Sequence, residues 1–136
     1  MDVFVLDSSA IIRYIDKEAG EDRVRAIFQT AAANHAEICV PALQWGEVAG
    51  NLRKRFGAFA QQRILERLVQ LELKIVPASA ERAVRAAELR VDRKLAYADA
   101  FALDLAMESA DHVLVTADYD FKAVSDLARI EFLPVK

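Results

Sequence analysis

Five short runs, apolar and rich in β-branched or aromatic residues, do most to limit what this chain can fold into. They occupy residues 3–6, 37–40, 73–76, 112–116 and 130–135, and none alternates cleanly between apolar and polar. Strands that are apolar throughout are covered on both faces, as in a parallel sheet held between two layers of helix. The intervals supply those helices. Residues 8–16 follow the first run at once, and 21–33 follow the break at Gly20. Pro41 suits the first turn of a helix reaching Phe56, with Trp45, Val48, Ala49, Leu52 and Phe56 on one stripe. Gly57 ends that helix, and another follows with Ile64, Leu65, Leu68 and Leu71 as its apolar face. Residues 79–94 set Ala80, Val84, Ala87 and Val91 together, and residues 97–110 are apolar enough to be covered on both sides. A short helix over 121–127 precedes the last run. Strands alternating with helices in this order predict an α/β fold: a single domain over 1–136, a three-layer α/β/α sandwich with a central, mainly parallel five-stranded sheet.

Composition narrows the setting. No apolar run approaches the roughly 20 residues of a membrane span, and no basic leader precedes the first strand, so neither a membrane anchor nor a standard export signal is expected. One cysteine, Cys39, excludes an internal disulfide, and with only His35 and His112 it makes no usual zinc site. A reducing cytoplasm is the natural setting. Between Arg53 and Lys94 there are 11 Lys+Arg against 5 Asp+Glu, inside a chain of net charge −3. A basic middle between acidic flanks permits a polyanion to be held in one place, without indiscriminate binding of nucleic acid.

A parallel sheet presents its functional cleft beyond the carboxyl ends of its strands, and there the sequence places carboxylates. Asp7 ends the first strand and Asp118 the fourth; either also suits a helix cap. Asp99 points, on helical spacing, where Ala102, Leu103 and Ala106 point, and a carboxylate on an apolar face is costly unless it is paired. Glu47 sits beside the Trp45 stripe with Gly46 and Gly50 as neighbours. Each mid-helix glycine costs about 1 kcal/mol relative to alanine, so close backbone approach, most simply by another helix, is expected there. Asp104 falls on the side of Ala100 and Glu108 and is expected in solvent. Should the four carboxylates converge, each like-charged pair at about 4 Å repels by roughly 4 kcal/mol at an effective dielectric near 20. Such a cluster takes up protons or a cation, and all-oxygen ligands select Mg²⁺ or Mn²⁺. A divalent ion held this way suits phosphoryl chemistry.

At these residues the chain resembles a known family. Val5-Leu6-Asp7-Ser8-Ser9-Ala10, Pro41-Ala42-Leu43 leading to Glu47-Val48, Tyr97-Ala98-Asp99-Ala100-Phe101, and Val115-Thr116-Ala117-Asp118-Tyr119-Asp120-Phe121 follow the ordered signature of PIN-domain nucleases. The short form is similar to VapC-type toxins of toxin–antitoxin pairs. The resemblance implies a PIN-like fold and a magnesium-dependent endoribonuclease, with Mn²⁺ as a possible substitute. It also implies an RNA substrate and a small VapB-like antitoxin covering the site, in a homodimer or a hetero-oligomer. Asp7, Glu47, Asp99 and Asp118 match the acidic quartet; Asp7, Asp99 and Asp118 would hold the ion. Ser8 or Ser9 and Thr116 match the accompanying hydroxyls, and Asp120 a possible outer-shell ligand. Arg53, Lys54 and Arg55, or Arg82 and Arg85 with Arg90 and Arg93 on one arc of their helix, could track a phosphate backbone. The rivals are a PIN-fold RNA-processing nuclease without an antitoxin and a non-catalytic module on the same fold. A phosphatase with Asp-x-Asp after the first strand is disfavoured by Ser9, and a phospho-receiver domain by Pro77-Ala78 where its acceptor aspartate would stand.

Overall fold

The structure is a computed structural model that describes residues Met1 to Lys136. Its strands are β1 (Asp2–Leu6), β2 (Ala36–Pro41), β3 (Lys74–Val76), β4 (His112–Thr116) and β5 (Arg129–Phe132). They form one sheet in the order β3-β2-β1-β4-β5, and every neighbouring pair is parallel. The helices are α1 (Ser8–Asp16), α2 (Glu21–Ala32), α3 (Ala42–Val69), α4 (Ala80–Arg93) and α5 (Tyr97–Ala106), and a 3-10 turn covers Tyr119–Val124. The chain builds outward from β1 to β3, then returns to the other side of β1 for β4 and β5. The order therefore reverses between β1 and β4. In a doubly wound sheet, that reversal opens a crevice at the carboxyl edge, because the connections on its two sides leave in opposite directions.

Why the runs are apolar throughout is visible in the two cores. Phe4 and Leu6 of β1, Ile38 and Val40 of β2, and Val113 and Val115 of β4 face α1, α2 and α3. The alternate residues Val5, Cys39 and Leu114 face α4 and α5. The expected three layers are present, and Cys39 is a buried core residue. Residues Ala100 to Ala106 of α5 are all buried, as near-continuous apolarity required. Gly57, at φ +86°, breaks α3 into two arms where the sequence placed a stop. The arms are tied by Gln61, whose amide donates to the Ala49 carbonyl at 2.9 Å. Helix α5 closes at Ala106, short of residue 110. The last strand closes at Phe132; Leu133 still donates to Thr116, and Pro134 has no N–H with which to continue.

Two expectations about packing are overturned. Val84 and Val91 are 60% and 75% exposed, so the stripe Ala80, Val84, Ala87 and Val91 is the outer face of α4. The inner face carries Ala86 in the core and Ala83 and Leu89 against it. Asp104 is buried, 7% exposed, and it selects that face. Arg85 Nε donates to Asp104 Oδ1 at 2.7 Å, and Arg82 reaches Asp104 at 3.3 Å and Glu108 at 2.9 Å. A buried carboxylate needs such donors, and α4 turns to supply them.

Candidate active site

Asp7 stands directly after β1, as the N-cap of α1. Its Oδ1 accepts from the Ala10 N–H at 2.9 Å and from the Ser9 hydroxyl at 2.7 Å, while Oδ2 accepts from the Thr116 hydroxyl. Both hydroxyls also accept: Ser9 from the Ala117 N–H at 2.8 Å, Thr116 from the Asp118 N–H at 2.9 Å. The ends of β1 and β4 are thus stitched through Asp7, whose side chain both caps a helix and sits at the chain reversal. Asp118 caps the 3-10 turn by accepting from the Asp120 N–H at 2.9 Å. Ser8 donates its hydroxyl to Glu47 at 3.1 Å, joining α1 to α3.

Electrostatics tie these groups together. Burial pushes Asp7 up to about 6; the three hydrogen bonds oppose this, and the charge of Asp99 adds to it. Asp99, at the start of α5, is also raised to about 6, first by burial and then by the charges of Asp118, Glu47 and Asp120. Asp99 is therefore the point at which the carboxylates act on one another. Two aspartates raised by burial and like charge at a sheet crevice mark a candidate functional site on physical grounds. A cleft of about 570 Å³ opens there, lined by Ser8, Ser9, Ile12, Arg13, Glu18, Glu47, Asn51, Ala117 and Asp118. The donors facing it are oxygens, the chemistry of a hard cation, but no three acidic, His or Cys side chains close into a ready-made ligand cluster.

Residues outside the acidic set also shape the crevice. Gln44 is wholly buried. Its Oε1 accepts from the Ser8 N–H at 2.8 Å, and its Nε2 donates to the Ala98 carbonyl at 2.9 Å and to Asp99 at 3.4 Å. One amide thus positions the first turns of α1 and α5. The signal was present in the sequence: Gln44 lies four residues before Val48 and eight before Leu52, a polar group on the buried stripe of α3. Arg13 had no comparable signal, since only the fold brings the last turn of α1 to the cleft.

The basic residues do not all reach this edge. Arg82 and Arg85 are committed to Asp104 and Glu108, and Glu108 stands 3.7 Å from His112, which begins β4 at the opposite edge of the sheet. Arg93 pairs with Asp126, and Arg90 lies over the Tyr97 ring. Three of the four arginines on that arc are thus held in ion pairs, and none of the four lines the cleft. Arg55 pairs with Asp16 at 2.9 Å and lies over Phe56. Arg53 and Lys54 are exposed, about 10 Å along α3 from Glu47 at 1.5 Å per residue. Gly46 and Gly50 have open space where a Cβ would stand, so no helix of this chain packs against them.

Residues 4–127 match the PIN domain family. No curated protein sequence matches the chain significantly. Among solved structures, VapBC2 from Rickettsia felis, bound to a DNA fragment from its promoter, superposes with a TM-score of 0.74 at 17% identity, covering 97% of this chain and 99% of that one. VapC20 of Mycobacterium tuberculosis, a sarcin-ricin loop cleaving toxin, gives 0.73 at 17% identity, over 96% and 99% of the two chains. A toxin–antitoxin complex from Klebsiella pneumoniae gives 0.61 at 24% identity, over 89% and 90%. With the reversal-point crevice and its carboxylates in place, and the family match running from β1 to the end of the 3-10 turn, the chain belongs to the PIN domain family.

Proposed function

We propose that this protein is a Mg²⁺-dependent endoribonuclease of toxin type that hydrolyses RNA phosphodiester bonds and is neutralised by a VapB-like antitoxin. The observation that carries the reading is the elevation of Asp7 and Asp99 at the crevice, both first by burial, with the charge of Asp99 adding to Asp7 and those of Asp118, Glu47 and Asp120 adding to Asp99. Asp7, Asp99 and Asp118 would hold the ion. It would supply polarisation of the phosphate, a lowered pKa for the attacking water and stabilisation of the leaving oxygen. The chain's own residues do the rest. Ser9 and Thr116 fix the orientation of Asp7, Gln44 that of Asp99, and Glu47 orients and accepts a proton from the attacking water. Hydrolysis of this kind leaves 5′-phosphate and 3′-hydroxyl ends and needs no 2′-hydroxyl.

Antitoxin control is supported by the company this fold keeps in toxin–antitoxin complexes. It is supported also by a groove between the arms of α3 lined by Trp45, Leu65 and Val69, with Phe59 76% exposed nearby. Apolar surface of that kind is suited to a partner peptide. The test is cleavage of RNA with Mg²⁺ and with EDTA, for wild type and Asp99→Asn. Metal-dependent cleavage lost on substitution is the expected result, and metal-independent cleavage that survives it would refute the scheme.

A further inference from the structure

The cleft carries one cation among its lining residues, and it is one of the arginines that form no ion pair. Arg23, Arg25, Arg55, Arg82, Arg85, Arg93 and Arg129 each pair with a carboxylate. Arg13 pairs with none, although Glu18, Glu47 and Asp118 line the same cleft. Its NH1 instead donates to two backbone carbonyls, Ala19 at 2.7 Å and Pro134 at 2.9 Å. A neutral carbonyl orients a guanidinium without cancelling its charge. Nε and NH2 make no hydrogen bond within the chain, so part of the planar fork remains open. A merely structural Arg13, stabilising the last turn of α1 and tethering the C-terminal segment, would account for NH1. It would not account for an unneutralised half-buried charge at the rim of an acidic crevice.

An RNA strand entering that crevice meets Glu18, Glu47 and Asp118 on its walls, and needs positive charge beside the ion to approach. From this geometry we infer that Arg13 is a substrate-contacting residue, whose free Nε and NH2 donors engage a non-bridging phosphate oxygen of the RNA strand in the cleft. Arginine suits the task because its fork matches phosphate geometry and its charge persists at every working pH. The assignment rests on the nuclease reading and adds to it the group that receives the substrate.

The experiment measures binding of a random-sequence single-stranded RNA in Ca²⁺, which permits binding without turnover, as a function of salt. Arg13→Gln is expected to make the slope of log K against log salt shallower by about 0.7, the value of one lost phosphate contact on a single strand. Its cleavage in Mg²⁺ is expected to fall at least about tenfold in kcat/KM, about 1.4 kcal/mol of transition-state stabilisation. Arg13→Lys, keeping the charge, should retain the wild-type slope and recover part of the cleavage. Equal slopes for wild type and Arg13→Gln would overturn the assignment. Should Arg13→Gln not fold, the wild-type protein answers alone: the Arg13 Nε–H resonance must shift when the RNA is added in Ca²⁺, and an unmoved resonance overturns the assignment. A slope difference in a protein that never cleaves RNA would refute the nuclease reading while leaving Arg13 as a phosphate contact.

Discussion

Asp7 lets the electrostatic account be tested without substrate or metal. Burial lifts its carboxyl from 3.8 to about 6, so below that value the native protein holds a proton that the unfolded chain has begun to release. The sign follows from linkage. A raised carboxyl contributes stability that is fully present below the unfolded pKa and is lost as pH rises through the folded one. A shift of about two units at 1.36 kcal/mol each makes the loss about 3 kcal/mol between pH 3 and pH 7.5. The perturbation is Asp7→Asn, which retains the shape and removes the titration. Urea unfolding in EDTA at several pH values gives each protein a stability profile. The wild-type profile, less that of Asp7→Asn, is expected to fall by about 3 kcal/mol across this range. The Arg93 pair lowers Asp126 and therefore acts with the opposite sign, but it is present in both proteins and cancels. Profiles that run parallel within about 1 kcal/mol would refute a desolvated, repelled Asp7. Mg²⁺ supplies the companion measurement: because protons compete with the ion, it should raise the wild-type Tm more at pH 7.5 than at pH 5.

Other expectations follow from single contacts. Gly46→Ala and Gly50→Ala, with open space at each Cβ and helical backbone, should stabilise the protein by about 0.5–1 kcal/mol each in urea unfolding. Gly57→Ala, at φ +86°, should destabilise it in the same assay. Gln44→Leu strands the Ser8 N–H and should cost about 1–3 kcal/mol, with loss of Mg²⁺ affinity by calorimetry. Asp104→Asn should lower Tm by weakening the link between α4 and α5, yet leave RNA cleavage unchanged, since its partners lie away from the cleft.

The sheet was legible because its signal is local. A run that is apolar on both alternations has no solvent face to offer, and Val5 against Phe4 and Leu6 shows both sides in use. From five such runs joined by helices, the parallel arrangement follows, and with it the edge at which Asp7 and Asp118 were sought. Gly57 was readable for the same reason, since its backbone freedom is a property of one residue.

The inner face of α4 was not readable, because that helix carries two small-residue stripes of similar apolarity. The choice between them was made by Asp104, a group on another helix whose burial demanded the Arg82 and Arg85 donors. Those same bonds took two arginines out of contention as phosphate contacts. The amide of Gln44 and the guanidinium of Arg13 acquire meaning only from carbonyls and N–H groups far along the chain, Pro134 lying 121 residues from Arg13. Periodicity along the polymer therefore determined the layers and the edge that bears the acids. Which polar groups meet at that edge was decided by tertiary packing, because a buried charge or amide takes whatever partner the fold brings within about 3 Å.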